Sequence, residues 1–325
     1  MKPHTNRRRF LKQIFCGLGV LTALSRKRGS DGTDLANVFG KDQGTKSIVD
    51  SHQHFWDPVA LKLPPPPPEA AVLGRAFLPT DLRHEIVQLG ITSTVLVQGY
   101  PQTEEANQWL FRQANTADYV RGVVAWVDLQ NPVKVGTALE RLRKEPKFVG
   151  IRHIVQDEKD VNWILRDVVL ESFKELARQR VPFDMVIKPD HLRNVFKVLD
   201  RVPKLSIVVD HIAKPNIAGG GSPGWAEGMA AIAQHPGVYC KLSGLVTEAN
   251  LRQWKSSDLK PYVTHAVDVF GWDRVMFGSD WPVCLLAATY QQVWMALQQC
   301  LGEISSEHRT KVFGNNAVRF YGLKV

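Results

Sequence analysis

From position 47 onward, short runs rich in Val, Ile and Leu alternate with segments whose apolar residues recur at helical spacing. The runs at 47–52, 92–98, 122–127, 148–153, 182–187, 205–210, 238–242 and 274–278 have the length and β-branched content of buried strands. Between them, 104–116 places Ala106, Trp109, Leu110 and Gln113 on one helical face, and 170–179 does the same with Phe173, Leu176 and Ala177. Val195, Phe196 and Leu199 mark a helix over 192–199, and Val293, Trp294, Leu297 and Leu301 one over 289–301. Eight β-then-α units predict an α/β chain, a (β/α)8 barrel in a single domain over 47–323. A doubly wound open sheet would need a Gly-rich phosphate turn after the first strand, and the chain has none there.

Two loops stand out. Five prolines at 64–68 follow the first strand and predict a stiff extended loop, either at the pocket mouth or as a spacer. Glycines 219–221 and 224 follow the sixth and predict a flexible segment, a candidate lid.

The formal charge of +9 suggests a nucleic-acid partner until it is located. Eight of the 41 basic residues lie before position 31, where there is no acid, leaving 33 basic against 32 acidic residues in the body. That near-neutral body argues against nucleic acid. The leader, 1–30, has another explanation. Asn6-Arg7-Arg8-Arg9-Phe10-Leu11-Lys12 resembles a twin-arginine export signal, and the apolar run 14–24 is too short for a stable membrane span. The expectation is a periplasmic or exported protein that meets the twin-arginine translocase transiently, joined through a polar linker at 31–46. Arg26-Lys27-Arg28 directly after the run resists translocation and keeps a cytoplasmic protein as the alternative. Cys16 lies in the leader, and Cys240, Cys284 and Cys300 follow no disulfide or metal spacing, so they read as buried small residues.

The chemistry gathers at strand ends. His52 and His54 alternate on the first strand and therefore point the same way. The fourth strand ends in Arg152-His153, the fifth in Lys188, the sixth in Asp210-His211, the seventh in Lys241-Leu242-Ser243 and the eighth in Ser279-Asp280-Trp281. In a barrel, that edge is the active-site face. Three imidazoles and a carboxylate suit one divalent metal, zinc or manganese, with positions left for water. Each residue also has a plainer reading. A lone His at a strand end is usually structural, Arg152 could be an internal ion pair, Lys188 a rim charge, and Trp56 and Trp281 core packing rather than platforms for a sugar ring. Ser243 and Ser279 lack a Gly-x-Ser-x-Gly elbow and read as structural.

These motifs together, with Val49-Asp50-Ser51-His52-Gln53-His54-Phe55-Trp56-Asp57, Val209-Asp210-His211-Ile212-Ala213-Lys214-Pro215 and Met276-Phe277-Gly278-Ser279-Asp280-Trp281-Pro282 foremost, resemble the amidohydrolase superfamily. The similarity is to its amidohydrolase-2 family, in the branch of fuconolactonase- and rhamnonolactonase-like enzymes. The resemblance implies a distorted TIM barrel of the metal-dependent-hydrolase type that opens the lactone ring of a sugar acid or related small cyclic ester. It implies that His52, His54, His211 and Asp280 bind the metal or the carbonyl, with Asp280 as general base and His211 as its catalytic partner. Arg152, His153, Lys188, Trp56 and Trp281 become the substrate-binding candidates. The fifth strand has no His and the fourth no bridging Lys, so a two-metal site is not expected; one metal ion, or a metal-independent reaction, is. A metal-dependent decarboxylase of the same superfamily and a non-catalytic exported sugar-acid-binding protein are the alternatives. Neither the particular lactone nor the oligomeric state is expressed in the sequence.

Overall fold

The computed structural model describes residues 47–325, so the leader 1–30, Cys16 and the linker 31–46 lie outside the described residues. The strands are β1 (Val49–Gln53), β2 (Ser93–Val97), β3 (Val120–Ala125), β4 (Phe148–Ile154), β5 (Phe183–Val186), β6 (Ile207–Val209), β7 (Val238–Leu242) and β8 (Val275–Phe277). All are parallel neighbours in chain order. Each is followed by a principal helix, in turn α1 (Pro79–Val87), α2 (Glu104–Asn115), α3 (Pro132–Leu142), α4 (Asp167–Gln179), α5 (Leu192–Arg201), α6 (Trp225–Ala233), α7 (Ser256–Phe270) and α8 (Tyr290–Leu301). The eight runs picked out by composition are the eight strands among the described residues, with ends shifted by a residue or two. No helix among the described residues is long and apolar enough to cross a membrane.

Two apolar layers follow from strand alternation. Leu96, Val123, Ala125, Ile151, Phe183 and Met185 point outward into the core shared with the helices. Val49, Val95, Val97, Val124, Val208 and Met276 instead fill the lower barrel together with Ala317, Tyr321 and Leu323 of the final segment. The short helix Asn316–Tyr321 therefore plugs the N-terminal end, leaving the C-terminal rim for chemistry.

The seam between β1 and β8 is closed largely by side chains. Asp50 accepts from Ser279 N (2.9 Å), Ser279 Oγ (2.6 Å) and Tyr290 OH (2.8 Å). Above it, Asp280 N donates to His52 O (2.8 Å) and His54 N to Trp281 O (2.7 Å). The β1 register shifts between Asp50 and Gln53. The shift turns the parity of the strand, so that Val49 faces the lower barrel while His52 and His54 both face its upper interior.

Candidate active site

The imidazole pair arises from strand geometry. His52 and His54 leave β1 on the same side, their Nε2 atoms 3.1 Å apart. His211 follows β6 at a left-handed backbone position (φ 54°), which swings its ring to 4.5 Å from that of His52. Two glycines make room. A Cβ at Gly244 would lie 2.6 Å from His211 Nδ1, and one at Gly278 2.7 Å from His52 Cβ. Asp280 after β8 completes the set, its Oδ1 3.5 Å from His54 Nε2, 3.7 Å from His52 Nε2 and 3.9 Å from His211 Nε2. All four residues are at most 6% exposed.

Charge follows from burial and neighbours. Burial pushes the Asp280 carboxyl up, but His211, His54 and Lys214 outweigh it and hold the group below the ordinary carboxylate value. Burial pushes His52 well down, with the Lys241 ammonium acting in the same direction. It pushes His211 well down too, against the opposing pull of Asp280. The resting site thus sets an ionised carboxylate against the neutral imidazoles of His52 and His211.

Hydrogen positions follow from the partners. His54 Nδ1 lies 2.7 Å from Val97 O, which can only accept, so Nδ1 carries a hydrogen and, in the neutral ring, Nε2 a lone pair. His211 Nδ1 lies 2.8 Å from Ser243 Oγ. His52 Nδ1 has two neighbours, Lys241 Nζ at 3.0 Å and Asp210 Oδ1 at 3.3 Å. If Lys241 donates, His52 keeps its hydrogen on Nε2; if Asp210 accepts, both Nε2 atoms of the pair turn lone pairs inward. Facing lone pairs at 3.1 Å repel unless a cation or a proton lies between them. The donors also have the mutual spacing of ligands round one ion, His52, His54 and Asp280 forming one such group and His52, Asp210 and His211 an overlapping one. The residues present therefore fit a single divalent metal.

Beneath the imidazoles lies a charged layer in which the sequence reading had given a role only to Arg152. Lys241 is fully buried, with Nζ 2.5 Å from Asp184 Oδ2 and 3.1 Å from Asp210 Oδ1. Arg152 Nε bonds Asp210 Oδ2 at 3.1 Å, and Tyr321 OH donates to Asp184 from 2.8 Å. Two cations thus face two carboxylates. Burial pushes Asp184 up to about 6 despite Lys241. Burial acts on Asp210 too, yet Lys241, His52 and Arg152 outweigh it and hold that carboxyl well down. The available signal was a lone Lys in the apolar strand Val238–Leu242 and a lone Asp in Phe183–Val186.

The other candidates divide. Arg152 points inward but is engaged by Asp210 and by Gln98 O (2.8 Å). Lys188 ends β5 half-buried, and its ammonium makes no ion pair among the described residues. His153 faces outward; it bonds Glu158 at 3.0 Å and stacks on Trp163 at 4.3 Å, bracing the loop after β4. Its expected place against substrate or metal is therefore corrected, because strand alternation sends it away from Arg152. The two tryptophans expected either to stack on a sugar ring or to pack in the core both pack against core residues. Trp281 is 1% exposed and packs edge-on against Phe77 and Phe55. Trp56 sits edge-on to Phe77 at 5.2 Å and gives its N–H to Leu73 O and Arg75 O, fastening the loop that carries the prolines.

Comparison with known proteins places this geometry. A family model described as amidohydrolase matches residues 49–323. The chain is 38% identical over 282 residues to an L-fucono-1,5-lactonase of Burkholderia ambifaria, spanning 85% of this chain and 95% of that protein. It is 32% identical over 286 residues to an L-fucono-1,5-lactonase of Burkholderia multivorans, spanning 85% and 96%. A crystal structure of a Burkholderia multivorans amidohydrolase with bound zinc superposes with a TM-score of 0.78 at 31% identity, covering 86% of this chain and all of that one.

Proposed function

The chain belongs to the amidohydrolase family, and on that basis we propose that it is a lactonase that opens the ring of a sugar-acid lactone, with L-fucono-1,5-lactone the first substrate to try. The observation that carries this reading is the ionised Asp280 among three imidazoles at the barrel's C-terminal rim.

The chemistry uses groups already in place. A water held between Asp280 and the His54 Nε2 lone pair gives its proton to the Asp280 carboxylate as it attacks the lactone carbonyl. With Lys241 donating to His52 Nδ1, the His52 Nε2–H is free to turn from His54 to the developing oxyanion. With Ser243 donating to His211 Nδ1, a second N–H is aimed from His211 Nε2. Asp280 then passes the proton to the departing ring oxygen, and the open hydroxy acid leaves as a carboxylate. No serine nucleophile is required. Ser243 positions His211, and Ser279 ties Asp50 across the seam. His52, His54 and Asp280 would hold a divalent ion, with His211 beside them; when bound it supplies Lewis acidity to the carbonyl and to water.

The test is a panel of 1,4- and 1,5-lactones followed by pH indicator, on metal-analysed protein with and without chelator. The expected result is acid release from hydroxylated lactones without gas. Carbon dioxide from an aromatic acid would instead identify a decarboxylase. Binding of sugar acids with no turnover of any lactone would identify the silent binding protein. The chelator arm decides between a metal-dependent and a metal-independent reaction.

We further propose export, on the strength of Arg7-Arg8-Arg9-Phe10-Leu11 ahead of a short apolar run. Cell fractionation of the full chain against an Arg7→Lys, Arg8→Lys, Arg9→Lys variant tests this. The unaltered chain should reach the periplasm and the variant should stay in the cytoplasm; equal distribution would overturn the proposal.

A further inference from the structure

Eight of the nine tryptophans are accounted for by packing. Trp109, Trp163, Trp225, Trp281 and Trp294 are buried in the core, and Trp56, Trp254 and Trp272 lie against it. Trp126 alone among the described residues belongs to neither apolar cluster and makes no ring contact with another aromatic. Its backbone is nonetheless fixed from both sides, since Asn107 Nδ2 donates to Trp126 O (2.7 Å) and Trp126 N donates to Asn107 Oδ1 (2.9 Å). A half-buried indole on a fixed backbone, outside both apolar clusters, needs an explanation.

Its place supplies one. Trp126 follows directly after β3, in which Val124 faces the barrel interior and Val123 and Ala125 face the helices. Alternation therefore turns Trp126 inward at the C-terminal rim. Val97 pairs with Val124 and Ala125 with Ile151, so continuing the register two steps past the first pair and one past the second puts Trp126 between Gly99 and the inward-pointing Arg152. Gly99 opens this corner. A Cβ built there would meet a single atom within 4 Å, His54 Nδ1 at 3.7 Å. By register, the indole is therefore placed on the same side of the rim as Gly99, whose own Cβ position lies next to His54.

The indole Nε1–H is buried and has no acceptor. Trp163, Trp281 and Trp294 leave theirs unbonded too, but those rings are locked in the core. Of these four, Trp126 alone is half-buried and outside both apolar clusters. A flat apolar face beside a directed N–H suits a hydroxylated ring, whose C–H face packs on the indole while a hydroxyl accepts. Resting on the lactonase reading, we propose that Trp126 is a specificity-determining residue. It seats the polyhydroxy ring while the carbonyl lies at His52, His211 and Asp280, and its N–H bonds a ring hydroxyl.

The experiment compares the unaltered protein with Trp126→Phe on L-fucono-1,5-lactone and on δ-valerolactone, the same ring size without hydroxyls. Phe keeps an aromatic face, though a smaller one, and removes the N–H; the lactone without hydroxyls controls for the lost ring area, and thermal unfolding checks that the fold is kept. The expected result is a roughly tenfold loss of kcat/KM on the hydroxylated lactone, with δ-valerolactone unchanged within about twofold. Equal effects on both lactones, or none on either, overturn the proposal while leaving the lactonase reading standing. No turnover of either lactone by the unaltered protein sinks the lactonase reading, and the role of Trp126 with it.

Discussion

Asp280 keeps its negative charge because His211, His54 and Lys214 together outweigh its burial. A pH dependence follows, and its sign can be worked out. A carboxylate base whose pKa is depressed stays active above that pKa and fails only as pH falls through it. His52 and His211, pushed well below the ordinary histidine value, remain neutral over the same range. The rate on a lactone, corrected for spontaneous hydrolysis, should therefore stay flat from about pH 7 down to about pH 5. An acid limb centred near pH 6.5 would show that an ordinary histidine is the base. Much of this set was legible in the sequence, because each member ends a strand and strand ends converge in a barrel. What adjacency could not reveal was direction. Trp281 and His153 neighbour site residues in the chain, yet alternation turns both away, whereas Trp126 neighbours none and turns inward.

At the scale of elements, the weak point of the barrel is the β1–β8 seam, where Asp50 stands in for missing ladder bonds. Burial pushes its carboxyl up, partly offset by the donors from Ser279 and Tyr290. Asp50→Ala removes the acceptor of four hydrogen bonds, three of them across the seam, and leaves buried donors unpaired. The expected loss is about 3 kcal/mol in denaturant unfolding, and Asp50→Asn should lose less because one oxygen remains. A change under about 0.5 kcal/mol in Asp50→Ala would show that the seam is closed by backbone alone. The strands were readable because each is a short β-branched run. Four helices were harder. Helix α6 is apolar round most of its circumference and α7 carries Pro261 within it, which blurs their stripes, while α1 and α3 open on prolines that read as loop residues. The β1 irregularity was not legible either, because a register shift belongs to the pairing with β2 and not to the strand alone.

Across the whole molecule, charge is balanced within the barrel by residues from four strands and the closing helix. Lys241 on β7 and Arg152 on β4 face Asp184 on β5 and Asp210 beyond β6, and Tyr321 of the terminal plug bonds Asp184. Lys241→Met leaves two buried carboxylates with one cation and should cost about 3–5 kcal/mol of stability. Lys241→Met with Asp184→Asn restores the balance and should recover most of that loss. If the double variant is no more stable than the single one, the pairing is not what holds the layer. This layer joins the plugged end of the barrel to the reactive one, because Lys241 Nζ also reaches His52 Nδ1.

The account stands on Asp280 as the proton carrier for ring opening. The most direct measurement is the turnover of L-fucono-1,5-lactone by Asp280→Asn beside the unaltered protein, with matched unfolding midpoints and metal content. The amide keeps the shape of the side chain but cannot take the proton, so kcat should fall by about 10³ or more. A rate within tenfold of the unaltered protein would contradict the assignment.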